Sequence, residues 1–195
     1  MKILGTGSSL PQKIVSNDDL AQVMDTSDEW ISSRTGIKMR HIAVEETTTS
    51  MSVDAAKKAL CDASVDAEDI DLIIAATVSP DYIFPTLACE VQAALGAVHA
   101  TAFDIGAGCS GFLFALATAD AYFASGRFQK ALIIGPETIE FYSSMLRSLD
   151  MMWWFWTKFR KTAEILAVPI SGRKSISDTL KKQIICLDMS FLYKA

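Results

Sequence analysis

The chain has 195 residues, half of them hydrophobic, so a packed core is expected and intrinsic disorder is excluded. Its four cysteines, Cys61, Cys89, Cys109 and Cys186, are far apart with no Cys-x-x-Cys pair, which argues against a disulfide framework or zinc site and for a reduced, cytoplasmic setting. The net charge of −5 conceals a change of sign: residues 1–140 carry 9 Lys/Arg and 19 Asp/Glu, residues 141–195 carry 9 and 4, as in a second module or a segment of different origin.

The basic residues are scattered, so no nucleic-acid partner is expected. No apolar signal region follows Met1-Lys2. Residues 2–5 read as a short strand, and Gly5-Thr6-Gly7 as a turn, since no third glycine completes a phosphate loop. Asn17 reads as the cap of a helix to about Met24. Thr26-Ser-Asp-Glu29 has the form of a capping box for a helix over 28–35, stopped by Gly36. Trp30 and Arg34, four apart on that helix, share a face. An indole beside a guanidinium suits a purine and a phosphate, while a tryptophan packed beneath an arginine stem is the plainer alternative.

A helix follows from Thr49 to about Cys61. Residues 71–78 form a continuous apolar run, as in a strand covered on both faces, and Pro85 opens a helix closed by Gly96. Residues 100–105 form the next strand, and residues 130–135 another buried one. Strands alternating with helices at this spacing predict βαβ units and a largely parallel sheet.

Between these last two strands lies Asp104-Ile-Gly-Ala-Gly-Cys109-Ser-Gly111-Phe112. A thiol where a strand becomes a helix faces the free N–H groups and positive dipole end of the first helical turn. That setting favours the thiolate and can receive an oxyanion when the sulfur attacks an acyl carbonyl; a buried structural cysteine is the alternative. The helix that leaves this turn is apolar nearly all round from Phe112 to Ala124, too short for a membrane span, which takes ~20 residues. It therefore needs protein on every side, supplied by the tail, a partner chain or a missing half. Gly106-x-Gly108-x-x-Gly111 also has the form of a dinucleotide fingerprint, with Glu137 as its acidic residue. Asp104 immediately before it would repel a pyrophosphate, however, and a Rossmann helix keeps a solvated face.

Four segments together resemble the β-ketoacyl-acyl-carrier-protein synthase III family of thiolase-like condensing enzymes. They are Asp28-Glu-Trp30-Ile-Ser-Ser-Arg34-Thr-Gly36-Ile37, Arg40-His41-Ile-Ala, Phe84-Pro-Thr-Leu-Ala-Cys-Glu-Val-Gln92, and Asp104 onward to Leu116. The resemblance covers residues 1–138 and only the N-terminal part of the family. It implies an α/β fold, the N-terminal half of a five-layered α-β-α-β-α architecture that buries central helices between two sheets. It further implies that Cys109 takes an acetyl group from acetyl-CoA, and that malonyl-acyl-carrier-protein condenses with the thioester to begin type II fatty-acid synthesis. In that family positions matching Trp30 and Arg34 line the coenzyme A site, and the position of Phe84 reaches into the acyl pocket of a homodimer partner. No bound cofactor or metal and no membrane span are implied, and the setting is the cytoplasm, with acyl carrier protein and CoA thioesters as partners.

Two departures stand out. Extra glycine in the Cys109 loop should loosen it, at about 0.5–1 kcal/mol for each alanine replaced where the backbone is ordinary. Residues 139–195, with Met151-Met-Trp-Trp-Phe-Trp156 and a single glycine, Gly172, form a divergent tail with no match for the family's histidine and asparagine. The tail reads as a frame-shifted or aberrant ending to a truncated synthase unable to condense alone, or as an interfacial segment through Trp153, Trp154, Phe155 and Trp156. A non-catalytic remnant that pairs with a synthase and a dinucleotide-binding oxidoreductase are the competing functions.

Overall fold

The structure is a computed structural model that describes residues 1–138 and, as backbone, the strand Ile165–Ser171. The expectations for Met151–Trp156 lie outside the described residues; of the tail only the strand Ile165–Ser171 is described. In chain order the elements are β1 (Lys2–Ile3), β2 (Gly7–Ser9), β3 (Lys13–Ser16), α1 (Asn17–Ala21), α2 (Asp28–Thr35), β4 (Met39–Ile42) and α3 (Thr48–Ala63). They continue with β5 (Leu72–Ala76), α4 (Leu87–Leu95), β6 (Thr101–Ile105), α5 (Gly111–Ala124), β7 (Lys130–Gly135) and β8 (Ile165–Ser171).

The main sheet has the order β1-β8-β7-β5-β6, with β2 also on β8. β5 runs parallel to both β6 and β7, whereas β8 is antiparallel to β7, β1 and β2. The parallel core is the expected βαβ arrangement. β5 is wholly buried because each face meets a different layer. Ile73 and Ala75 pack with Leu132 and Ile134 beneath α3 and α4, while Leu72, Ile74 and Ala76 pack with Ala131 and Ile133 on Ala115, Leu116 and Ala119 of α5. A period of two along the strand thus builds a helix–sheet–helix sandwich.

Several local expectations change. Gly5 and Gly7 are not there for a turn: a Cβ on Gly7 would lie 2.2 Å from the Ala55 carbonyl oxygen and 2.4 Å from the Ala59 nitrogen. Glycine is required because β2 crosses the α3 backbone at contact distance. The cap of α1 is Ser16, in a capping box with Asp19, and Asn17 is instead a buried residue. α2 is capped by Ser27 through the Trp30 amide, one position on from the predicted box, and the buried Thr26 hydroxyl has no hydrogen-bond partner among the described residues. Gly36 ends α2 with φ of 70°, as expected.

Candidate active site

The carboxyl ends of β5, β6 and β7 form one rim of the sheet, and Cys109 stands on it. The Thr77 amide, just past β5, donates to the Ile105 carbonyl at 3.2 Å, extending the strand pair to the start of the loop. From there Gly108–Ser110 makes a short 3-10 turn that leads into α5, and Cys109 is exposed at its centre. Ser110, the N-cap of α5, makes no side-chain cap hydrogen bond, while the Ser110 and Gly111 amides donate back to the Ala107 and Gly108 carbonyls of the turn.

Two glycines of the loop have separate reasons. Gly108 adopts φ of 51°, a left-handed conformation that disfavours a side chain. The backbone at this position is therefore not ordinary, and glycine here favours the turn rather than loosening it. Gly111 begins α5 against the end of β5; a Cβ there would lie 3.3 Å from that of Ala76. Close helix–strand approach, with no phosphate involved, accounts for the third glycine.

Polar groups around the rim hold its loops in place. The Asp104 carboxylate accepts the Leu87 and Ala88 amides at 2.9 and 2.8 Å, capping α4 in place of Thr86, which makes no side-chain cap bond. Glu137 accepts the Val78 amide at 2.9 Å and the Ser79 hydroxyl at 2.8 Å. The Thr138 amide donates back to the Ser79 hydroxyl at 2.9 Å, and Thr138 and Thr48 hydroxyls meet at 2.8 Å in the interior. Asp81 accepts the Thr48 and Thr49 amides at 3.1 and 2.7 Å, capping the neighbouring helix α3. Burial raises the Asp81 carboxyl, but hydrogen bonds from the Thr49 hydroxyl and the Thr48 and Thr49 amides outweigh it and leave its pKa below the usual value.

This bracing fixes both ends of a loop whose tip is open: Tyr82, Ile83 and Phe84 are 62%, 96% and 87% exposed. Phe84 therefore stands out from the rim with its ring uncovered. Trp30 and Arg34 do meet, as their spacing predicts, with the guanidinium 4.5 Å from the indole centroid. Trp30 is half-buried against the small cluster of Leu20, Ile31 and Ile37, while Arg34 is exposed. They belong to α2, which with α1 lies between the paired strands β3 and β4 in the chain, a part of the fold separate from the sheet that carries the Cys109 turn. This arrangement is the plainer alternative, a packed tryptophan with the guanidinium stacked on its ring.

The dinucleotide reading fails on topology. A Rossmann loop follows a strand from the middle of the sheet, with the next strands in order beside it. Here β6, which carries the loop, is the edge strand among the described residues, and β7 pairs with β5. Glu137 is also engaged by Val78 and Ser79 and is not free to meet a ribose. Among the described residues no three His, Cys, Asp or Glu side chains gather to hold a metal, and no helix is long and apolar enough to cross a membrane.

Comparison with known proteins agrees with the resemblance read from the motifs. Residues 103–147 match the family profile of 3-oxoacyl-[acyl-carrier-protein (ACP)] synthase III. β-Ketoacyl-[acyl-carrier-protein] synthase III of Streptococcus sanguinis is 51% identical over 138 residues, which are 71% of this chain and 43% of that protein. The Streptococcus pneumoniae enzyme is 52% identical over the same share. Among solved structures, 3-oxoacyl-[acyl-carrier-protein] synthase III of Aquifex aeolicus superposes with a TM-score of 0.76 at 44% identity, covering 89% of this chain and 54% of that one. The Pseudomonas aeruginosa enzyme gives 0.75 at 35% identity, covering 90% and 52%. The chain spans less than half the length of the curated relatives it matches, and over that part it is similar to the β-ketoacyl-acyl-carrier-protein synthase III enzymes, with the thiolase-like fold of the condensing enzymes.

Proposed function

We propose that this chain carries the acyl-accepting half of a β-ketoacyl-acyl-carrier-protein synthase III, with residues 1–138 as the part that resembles the family and 139–195 as a divergent tail that contributes β8 to the sheet. The observation that supports this most is Cys109, exposed on a glycine turn directly before α5. Its thiolate sulfur attacks the carbonyl carbon of acetyl-CoA, and the oxyanion forms beside the first-turn amides of α5. The carbon–sulfur bond to coenzyme A then breaks, and the departing thiolate takes a proton to leave free coenzyme A and S-acetyl-Cys109. Trp30 and Arg34 receive the nucleotide end of coenzyme A, the indole by stacking and the guanidinium through phosphate.

In the whole enzyme the second substrate is malonyl-acyl-carrier-protein. Its decarboxylation requires donors for the enolate oxygen, and the family's histidine and asparagine have no counterpart in this sequence. This chain alone therefore acetylates Cys109 and stops. The exposed Phe84 is assigned to the acyl pocket of a partner subunit in a homodimer. The reaction draws on CoA thioesters as substrates with no resident cofactor, and belongs in the cytoplasm.

The test is intact-mass analysis after incubation with acetyl-CoA. One acetyl group should appear, and none on Cys109→Ser. Addition of malonyl-acyl-carrier-protein should yield no acetoacetyl product; formation of that product would overturn the assigned incapacity. A chain that remains unacetylated yet co-purifies with an intact synthase would favour a non-catalytic partner role instead.

A further inference from the structure

α2 is weakly anchored by apolar contacts for a helix that presents a ligand surface. Of its eight residues only Ile31 is buried, and the cluster around it has just two other buried members, Leu20 and Ile37. What fixes the helix is polar. Asn17, 1% exposed, donates through Nδ2 to Asp28 Oδ1 at 2.7 Å, to the Ile37 carbonyl at 2.7 Å and to Ser32 Oγ at 3.3 Å. Asp28 is the first residue of α2 and Ile37 follows its Gly36 terminus, so one amide grips the helix at both ends.

The orientation of that amide is itself enforced. Arg40, 3% exposed, donates through Nη2 to Asn17 Oδ1 and through Nη1 to the Val15 carbonyl at 3.4 Å. A guanidinium only donates and a carbonyl only accepts, so the amide cannot flip without losing both sides. Among the described residues Arg40 makes no ion pair within 4 Å, and burial lowers its pKa from the ordinary arginine value. An interior cation without a carboxylate beside it is costly. The same relay reaches Asp28, whose carboxyl is held below its usual pKa first by the hydrogen bond from Asn17 and next by that from Ser32.

We infer that Asn17, oriented by the buried Arg40, is the positioning residue of the Trp30–Arg34 surface and sets its affinity for the nucleotide end of coenzyme A. This rests on the coenzyme A reading above. Asn17 touches no ligand; it acts by holding α2 in register with the β3–β4 strand pair, in which Arg40 lies opposite Val15.

The informative substitution is Asn17→Asp. It keeps an acceptor for Arg40 while setting a carboxylate against Asp28 and removing the donor to Ile37, so the clamp on α2 opens with Arg40 still paired. Coupling it with Asp28→Asn reverses the polarity of the pair and restores a hydrogen bond between positions 17 and 28. Three readouts apply to the full-length chain: coenzyme A affinity by equilibrium dialysis, the iodoacetamide alkylation rate of Cys109 by peptide mass spectrometry, and hydrogen exchange of the α2 amides. Asn17→Asp should weaken coenzyme A binding by about tenfold and speed α2 exchange, with Cys109 alkylation unchanged. The double variant should recover most of both losses. Wild-type affinity in Asn17→Asp, or a parallel fall in Cys109 alkylation with no recovery in the double variant, would overturn the assignment. A wild-type chain that binds no coenzyme A would instead refute the functional reading, and the ligand role of the clamp with it.

Discussion

Asp104 commits both carboxylate oxygens to the first two amides of α4, from a strand two residues short of the nucleophile loop. In sequence it reads only as an unfavourable neighbour for a phosphate; in the fold it is a helix cap supplied from a different element. Asp104→Ala should cost about 1–2 kcal/mol, the usual range for losing a good cap, and Asp104→Asn less, since an amide oxygen still accepts one bond. Urea unfolding of the three proteins measures it, and equal stability would show the cap to be dispensable. The reason the sequence conceals this role is general. Capping by Ser27 three residues before its target is local and lies one step from where the T-x-x-E pattern points, whereas capping by Asp104 spans 16 to 17 positions. Asn17 is the same case: its residue type suits a cap, but its four partners come from residues 11 to 23 positions away. The chemistry-bearing residues were legible because their neighbours are sequential: Cys109 with its glycines, and Trp30 with Arg34 at one helical turn. Their support was not, because it is tertiary.

At the level of elements, the close crossing of β2 over α3 carries the strictest packing demand. Ala55, Ala59 and Ala63 recur every four residues on α3, and the missing Cβ positions of Gly5 and Gly7 fall on the backbone of those alanines. A methyl group at Gly7 meets carbonyl and amide atoms that no rotamer change can move. Gly7→Ala should therefore cost at or above the upper end of the roughly 1–3 kcal/mol typical of overpacking, whereas Gly126→Ala, with nothing within 4 Å but φ of 74°, should cost only about 1 kcal/mol of backbone strain. Thermal unfolding of the pair separates the two effects, and equal losses would argue against the tight crossing. The strands β5 and β7 were readable from their apolar runs, since burial on both faces leaves a continuous pattern, and β6 from a shorter run although its residues are only partly covered. The pairing of β1 and β2 with β8 was not, because two-residue and three-residue strands hold no period and their partner lies more than 155 positions along the chain.

Across the whole molecule, α5 is the element whose surroundings and sequence disagree. Its sequence is apolar on all sides, yet the described residues cover one face: Ala115, Leu116 and Ala119 are buried, while Leu113 is 44% and Phe114 55% exposed. β8 lies within the same sheet, between β7 and the short strands β1 and β2, and supplies no second layer beyond the helix. A contiguous apolar surface of this kind promotes association. Leu113→Gln with Phe114→Ser should therefore reduce concentration-dependent self-association and the binding of a hydrophobic dye, and should change stability by less than about 1 kcal/mol, as for partly exposed positions. Leu116→Ala on the opposite face removes a buried side chain and should cost about 2–5 kcal/mol. Light scattering and unfolding of both variants distinguish the faces. If the exposed-face substitutions destabilised the chain as strongly as Leu116→Ala, α5 would have to be covered on both sides in solution, and the self-association of this chain would need another cause.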